Sequence, residues 1–166
     1  MERETLARLY EEYSDGVYGF LRHLTGSEEQ AFDLLQDVFV RAARFEGEVQ
    51  HEKAWLYKIA RNLAYDSFRG NREQVAPLEL EPVVADEFTT AVNWNLLRGR
   101  ILERLREEDE VLYQIFLLRL DHEMTHAQIA GVAGLGERTV RRYFEKIKSI
   151  LKRDFRDELF GERAVS

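Results

Sequence analysis

The sequence has no cysteine and only two prolines, two tryptophans and two methionines among its 166 residues. Without cysteine the chain can form no disulfide, no thiolate zinc site and no cysteine nucleophile, which fits a reducing compartment. Long apolar runs are also missing, and none exceeds four or five residues, as in VLYQIFLL, where Gln114 interrupts. A membrane-spanning helix needs about 20 apolar residues, so we expect no stable membrane insertion.

The first ten residues, MERETLARLY, carry charges and are not followed by an apolar core, so the sequence predicts no signal peptide. Hydrophobic residues make up 45% and charged residues 33% of the chain, which is typical of soluble globular proteins. We therefore expect a cytoplasmic protein of one ordinary domain or two small ones, and no cofactor is predicted.

The net charge of −7 hides an uneven distribution, and a phosphate backbone responds to the distribution rather than to the sum. Residues 1–70 hold 9 basic and 13 acidic side chains, residues 71–95 hold 1 and 5, and residues 96–166 hold 14 and 13. Between Arg138 and Arg153, seven basic residues stand against one acidic residue, Glu145. The acidic chain therefore contains a cationic helix, and nucleic acid stays open as a partner.

Apolar residues at helical spacing predict three helices in residues 1–70. The first covers residues 5–24 and ends at Gly26, after which Ser27 and Gln30 form a capping box that starts the second. The third runs over residues 53–69 and turns four apolar side chains inward, namely Leu56, Ile59, Ala60 and Leu63. Residues 1–70 are thus predicted to form one compact helical domain.

Helical periodicity fails from Asn71 to about Asn93, where Pro77 and Pro82 stand among acidic residues. Proline removes helical donors and carboxylates resist burial, so residues 71–95 are predicted to be an acidic linker, with an irregular packed connection as the alternative. Periodicity resumes in residues 96–166, the second predicted domain, and no strand-like alternation appears anywhere in the sequence. The predicted fold class is all-α, with two small helical domains.

The segment MTHAQIAGVAGLGERTVRRYFEKIKSILKR has the pattern of a helix-turn-helix. Thr125 and Gln128 form a second capping box, residues 134–136 supply a glycine turn, and Glu137 opens the second helix. Its inward side chains should be Val140, Phe144, Ile147 and Leu151, and its outward ones Arg138, Arg141, Arg142, Lys146 and Lys152 or Arg153. Such a face suits base edges and phosphates in a major groove, and a merely solvated face is the alternative.

The stretch HEMTH, His122 to His126, has the spacing of the zinc-protease signature H-E-x-x-H. In that signature both histidines lie one turn apart on a single helix. With Thr125 as N-cap, His122 would precede the helix and His126 would be its first residue. The extended signature also requires glycine at the position of Ile129 and histidine at that of Val132. We predict neither a metal site nor a catalytic residue here, and a zinc hydrolase remains a rival interpretation.

Two runs in residues 1–70, DLLQDVF at residues 33–39 and WLYKIARNLAYDSFR at residues 55–69, resemble motifs of extracytoplasmic-function sigma factors, the small bacterial initiation subunits of RNA polymerase. The run DLLQDVF, residues 33–39, is similar to the family's D-L-x-Q-[ED]-x-F. The third predicted helix is similar to W-L-x-x-I-A-R-N-x-x-x-D-x-x-R, present as Trp55, Leu56, Ile59, Ala60, Arg61, Asn62, Asp66 and Arg69. The Q-I-A and T-V portions of the C-terminal pair resemble the family's E-I-A and G-T-V, and the resemblance covers residues 9–151.

The resemblance implies a promoter-specificity subunit without an active site of its own. It implies that the second helix docks on core polymerase through Asp33, Gln36 and Asp37, which lie at i, i+3 and i+4. It also implies that the third helix, with the loop over residues 47–52, reads and melts the minus-ten promoter element. The side chains suited to separated strands are Lys58, Arg61, Asn62, Tyr65 and Arg69. Trp55 is open to either a core role or a stacking role.

By motif position, the last helix would read the minus-thirty-five element through Arg138, Thr139, Arg141, Arg142, Glu145 and Lys146. Arg138 replaces the family's usual glycine, Tyr143 stands where arginine is common, and Glu145 is acidic, which favours an unusual target sequence. The implied partners are core RNA polymerase, double-stranded and locally melted promoter DNA, and an anti-sigma factor. A stand-alone helix-turn-helix transcriptional regulator is the alternative function.

Overall fold

The structure is a computed structural model that describes residues 1–70 and 90–161. The α-helices are α1 (Arg3–Thr25), α2 (Glu28–Arg44), α3 (Glu52–Gly70), α4 (Thr90–Glu108), α5 (Glu110–Leu120), α6 (His126–Ala133) and α7 (Glu137–Asp154). A π-helical turn, Asp157–Gly161, follows, and no strand occurs in the described ranges, so the all-α prediction is confirmed. Within the same ranges, none of the helices combines the length and apolarity needed to cross a bilayer.

The chain divides into two compact units, the first built on α1–α3 and the second on α4, α5 and α7. In the first unit each helix packs against the other two. The side chains that α1 and α2 bury follow the predicted helical spacing and include Leu9, Val17, Phe20, Leu21, Leu24, Leu34, Leu35, Val38 and Phe39. Burial of this size is the main stabilising contribution to a small helical unit, since each such side chain contributes roughly 2 kcal/mol.

The buried side of α3 differs from the prediction at two neighbouring positions. Ile59, predicted to point inward, is only half-buried, whereas Tyr57 is buried and its ring stacks on Phe20 with centroids 5.4 Å apart. Because α3 packs against both α1 and α2, the part of its surface that they cover is wider than one apolar stripe. Ile59 does not lie at the centre of this covered surface.

The turn between α1 and α2 forms half of the predicted capping box. Gly26 ends α1 in the left-handed conformation, with φ at 72°, and the Ser27 hydroxyl accepts from the Gln30 N–H at 3.2 Å. The Ser27 N–H, which the Gln30 side chain was predicted to bind, donates instead to Thr25 Oγ1 at 3.3 Å. A hydroxyl from the preceding helix has therefore taken the place of the predicted amide.

In the second unit, α5 is buried on most of its sides, because α4 and α7 both pack against it. Asp109 caps α5 by accepting from the Val111 N–H at 2.8 Å, so a new helix begins directly after α4. Arg98 on α4 donates two hydrogen bonds to Asp121, the residue that ends α5. These contacts hold α4 and α5 together as a pair.

The predicted acidic linker, residues 71–95, lies for the most part outside the described residues. Its last part, residues 90–95, is described and belongs to α4, which begins at Thr90. The sequence has neither proline nor glycine between residues 83 and 98, so no chain-breaking residue confines the helix to residue 96 and beyond. Helical structure therefore begins earlier than the predicted end of the linker.

Candidate nucleic-acid and protein interfaces

The predicted helix-turn-helix is present as α6, a glycine turn and α7. Gly134 ends the eight-residue α6 in the left-handed conformation, with φ at 69°, and the Leu135 N–H donates to the Ala130 carbonyl at 3.0 Å. Gly136 is the N-cap of α7, which starts at Glu137 as predicted. Gly134 thus sits where the left-handed turn between the two helices favours glycine, whereas the backbone of Gly136 is extended.

The HEMTH stretch lies in the connection from α5 to α6, and the predicted helix start is confirmed. The Thr125 hydroxyl accepts from the Gln128 N–H at 3.2 Å, and Gln128 Oε1 accepts from the Thr125 N–H at 2.9 Å. His122 therefore precedes the helix, and His126, the first helical residue, stacks on Phe144 with ring centroids 4.8 Å apart. The two histidines are not presented one turn apart on one helix, as the zinc-protease signature requires.

Removing the Thr125 hydroxyl should measurably destabilise the chain. Thr125→Ala is expected to lower the free energy of unfolding by about 1 kcal/mol, because the Gln128 N–H loses its acceptor. Urea unfolding followed by circular dichroism measures this, and Thr125→Ser, which keeps the hydroxyl, is the matched control. Equal midpoints for the alanine and serine variants would mean that the capping box does not stabilise α6.

The outward face of α7 carries the residues that were predicted to read the minus-thirty-five element. Side chains of Arg138, Arg141, Arg142, Glu145 and Lys146 are exposed, and Thr139 is half-buried. With Lys148, Lys152 and Arg153, which are also exposed, the arginines and Lys146 form what we call the cationic face of α7. Glu145 lies within this face and pairs with Lys148 at 3.5 Å, so its charge is partly neutralised inside the helix.

The inward face of α7 is rotated slightly from the predicted one. Val140 and Ile147 are buried as predicted, but Phe144 and Leu151 are only half-buried, and Ile150 is buried instead. Ile150 was not among the predicted inward residues, and α7 packs against both α5 and α4. The exposed positions are unaffected by this rotation.

The exposed side of α3 carries together the residues that were predicted to read and melt the minus-ten element. Lys58, Asn62 and Arg69 are exposed, while Arg61 and Tyr65 are half-buried. The Arg61 guanidinium lies 4.5 Å from the centre of the Tyr65 ring, a cation–π distance. These five residues form the basic and aromatic face of α3, which combines cations, an amide and a ring that Arg61 holds in place.

The segment leading into α3 is tied to α1 and packed by aromatic rings. Arg8 on α1 donates to Glu52, the first residue of α3, at 2.8 Å, and this hydrogen bond lowers the pKa of the Glu52 carboxyl. Trp55 is half-buried with its ring 5.1 Å from that of Phe45, so it combines packing with partial exposure. Gly47 has φ at 144°, and a Cβ there would meet the Phe45 ring at 3.2 Å. The loop over residues 47–52 therefore has a defined path.

The predicted protein-binding edge on α2 is exposed and has an apolar part that the sequence analysis missed. Asp33, Gln36 and Asp37, which we call the acidic edge of α2, all face outward. Phe32 and Val40 are 54% and 46% exposed, and with Gln36 they follow i, i+4 and i+8 along the same side. Their exposure could have been foreseen, because both fall outside the buried period of α2. An edge of carboxylates with exposed apolar side chains suits a partner that is basic and partly apolar.

Comparisons with known proteins point in one direction. A model of the family Sigma-70 region 2 matches residues 9–74, a range that contains α2, α3 and most of α1. The chain is 29% identical over 148 residues to the ECF RNA polymerase sigma factor BldN of Streptomyces coelicolor, covering 84% of this chain and 56% of that protein. It is 41% identical over 70 residues to the ECF RNA polymerase sigma factor SigX of Bacillus subtilis, covering 40% of this chain and 36% of that protein.

The similarity to a third relative extends over both chains almost completely. The ECF RNA polymerase sigma factor SigM of Bacillus subtilis is 27% identical over 165 residues, covering 93% of this chain and 99% of that protein. The chain thus spans about half of BldN, about a third of SigX and nearly all of SigM. A solved structure of an RsbN–BldN complex is 25% identical, covering 92% of each chain with a TM-score of 0.36.

Proposed function

The chain belongs to the extracytoplasmic-function family of RNA polymerase sigma factors, and on that premise we propose that it directs core polymerase to promoters with two recognised elements. In this proposal the polymerase carries out the chemistry, and the chain contributes binding, sequence recognition and strand opening without a catalytic residue. It would act in the cytoplasm, where core polymerase and DNA are found.

The observation that best supports the proposal is the pair of exposed surfaces in the first unit. The acidic edge of α2 and the basic and aromatic face of α3 are opposite in charge and lie on neighbouring helices of one small core. Opposite charges favour different partners, a basic protein surface for α2 and the nucleic-acid backbone for α3. A subunit that joins polymerase to DNA needs both, whereas a stand-alone regulator needs neither of them.

For the acidic edge, we propose docking on a basic helix pair of the polymerase's large subunit, as in the family. Asp33 and Asp37 would supply charge complementarity, which speeds encounter and fixes register. Phe32 and Val40 would add the apolar area that gives such a contact its affinity. We propose the same exposed surface as a target for an anti-sigma factor, the regulatory partner that the family implies.

For the basic and aromatic face of α3, we propose contact with the minus-ten element and with the strand that separates there. Lys58 and Arg69 would neutralise phosphates, and Asn62 would bond a base edge. Tyr65, braced by Arg61, would stack on an unpaired base, which is a contact that tolerates any sequence. The cationic face of α7 would bind the minus-thirty-five element in the major groove.

The Asn62→Ala variant tests whether Asn62 acts in recognising a base or in opening the strands. Asn62→Ala is expected to lower run-off transcription from a duplex promoter by about five- to thirtyfold, since one amide contact to a base corresponds to about 1–2 kcal/mol. Asn95→Ala, which removes an exposed amide from α4, is the matched control and should transcribe normally. A template opened in advance by mismatches at the minus-ten element restores transcription if Asn62 acts in opening. If Asn62→Ala transcribes the duplex as well as wild type does, the role assigned to Asn62 is wrong.

Two rival functions are distinguished by direct measurements. A stand-alone regulator would use α7 alone, so it would bind DNA but would not co-elute with core polymerase in gel filtration, whereas our proposal predicts co-elution. A zinc hydrolase would use His122 and His126, and elemental analysis of the purified chain for stoichiometric zinc tests it. Zinc lost on replacing either histidine would contradict our interpretation of this connection.

A further inference from the structure

One residue of the cationic face of α7 is already engaged by a carboxylate from another helix. Lys146 Nζ lies 3.6 Å from Glu108 Oε1, and Glu108 is the last residue of α4. The two residues are 38 positions apart in the sequence, so the pair is a product of the fold of the second unit. Their side chains are 51% and 35% exposed, so solvent, ions and a ligand can all reach the pair.

Glu108 is held by a second partner besides Lys146. The Glu108 carboxylate also accepts from Arg104 Nη1 at 3.3 Å, and Arg104 Nε donates to Asp154 Oδ2 at 2.9 Å. Arg104 is thus held between α4 and α7 and keeps the carboxylate beside α7. Lys146 has a flexible four-carbon stem, so its ammonium can leave Glu108 without moving either helix.

The dipole of α4 does not favour a carboxylate at the position of Glu108. A carboxylate in the last turn of a helix faces the negative end of the helix dipole, which is unfavourable. Asp109, the next residue, is accounted for as the cap of α5, whereas Glu108 pairs within α4 with Arg104, at i, i+4. Its contacts run to Arg104 and to the cationic face of α7.

We propose that Glu108 competes with DNA phosphate for Lys146 and so lowers the affinity of α7 for DNA in general. This inference rests on the proposed function, since it assumes that Lys146 contacts the phosphate backbone. In the free chain the Glu108 carboxylate is paired with the Lys146 ammonium. On binding to DNA, a phosphate oxygen replaces the carboxylate as the partner of Lys146. The bases read by the arginines of α7 are unaffected by this exchange, so the competition removes sequence-independent affinity and leaves discrimination between sequences intact.

Neutralising Glu108 tests the competition. Glu108→Gln is expected to bind a fluorescent mixed-sequence duplex of about 30 base pairs roughly two- to fivefold more tightly than wild type at about 50 mM salt. The advantage should shrink at about 200 mM salt, because salt screens both pairs. Fluorescence anisotropy of the full chain gives the dissociation constants, and thermal unfolding verifies that each variant is folded.

A double-mutant cycle separates competition for Lys146 from a general change in charge. Glu107→Gln removes the same charge from the neighbouring exposed position, so it measures the general effect and should tighten binding less. Lys146→Ala should weaken binding, and adding Glu108→Gln to it should give no more than the Glu107→Gln effect. Equal gains from Glu108→Gln and Glu107→Gln, with Lys146→Ala still weaker, would overturn the competition but leave the DNA-binding role of α7 intact. Unchanged binding by Lys146→Ala would overturn both the inference and the assigned role of Lys146.

Discussion

Replacing Asp37 with arginine is expected to weaken binding of the chain to core polymerase by about thirtyfold or more, the equivalent of about 2 kcal/mol. Asp37 is the exposed last residue of the acidic edge of α2, so the substitution disturbs no packing in the first unit. At a basic partner surface, the change removes an attraction and adds a repulsion between like charges. Like charges brought together at an interface cost more than a lost contact does, which makes this one of the largest expected effects.

The measurement is the dissociation constant of fluorescently labelled chain for core polymerase, obtained by titration at fixed ionic strength. Asp15→Arg on α1 is the matched control, because it reverses one exposed acidic charge in the same unit. It should bind polymerase like wild type, apart from a small general electrostatic effect. If the two reversals weaken binding equally, the acidic edge of α2 is not the docking surface.

Replacing Arg142 with alanine is expected to reduce transcription from promoters with an intact minus-thirty-five element by about ten- to a hundredfold. Arg142 is exposed in the second turn of α7, where a recognition helix reaches base edges, and a bidentate arginine contact to a base is worth about 1–3 kcal/mol. Arg141→Ala, one position earlier on the same exposed face, should act in the same direction. Neither side chain packs in the core, so folding should be preserved.

A second template distinguishes a loss of sequence recognition from a general loss of transcription. On a template whose minus-thirty-five element has been scrambled, Arg142→Ala and wild type should transcribe equally weakly. Lys152→Ala, which removes a charge from the C-terminal part of α7, should weaken both templates to a similar, smaller extent. A loss for Arg142→Ala that is as large on the scrambled template as on the intact one would contradict a role in sequence recognition.

Features of the chain that depend on neighbours in sequence could be predicted well. The capping box at Thr125 and Gln128 needs only four consecutive residues, and it formed as expected. It also fixed the start of α6 and so decided the geometry of His122 and His126. The exposed face of α7 followed from the helical period alone, because a strongly amphipathic helix leaves little choice of orientation.

Features that depend on the rest of the fold could not be predicted from the sequence. Tyr57 became a core residue because α3 packs on two helices at once. The ion pair between Glu108 and Lys146 joins residues of two helices, and no local sequence pattern predicts such a contact.

The central claim is that this chain gives core RNA polymerase its promoter specificity. Core polymerase, with and without the purified chain, is to be supplied with genomic DNA fragments, and the 5′ ends of the transcripts are to be sequenced. We predict discrete starts that appear only with the chain, each preceded by the same two sequence elements, and lost with Asp37→Arg. Transcripts whose starts are the same with and without the chain, while the chain binds DNA fragments on its own, would contradict the claim and indicate a stand-alone regulator.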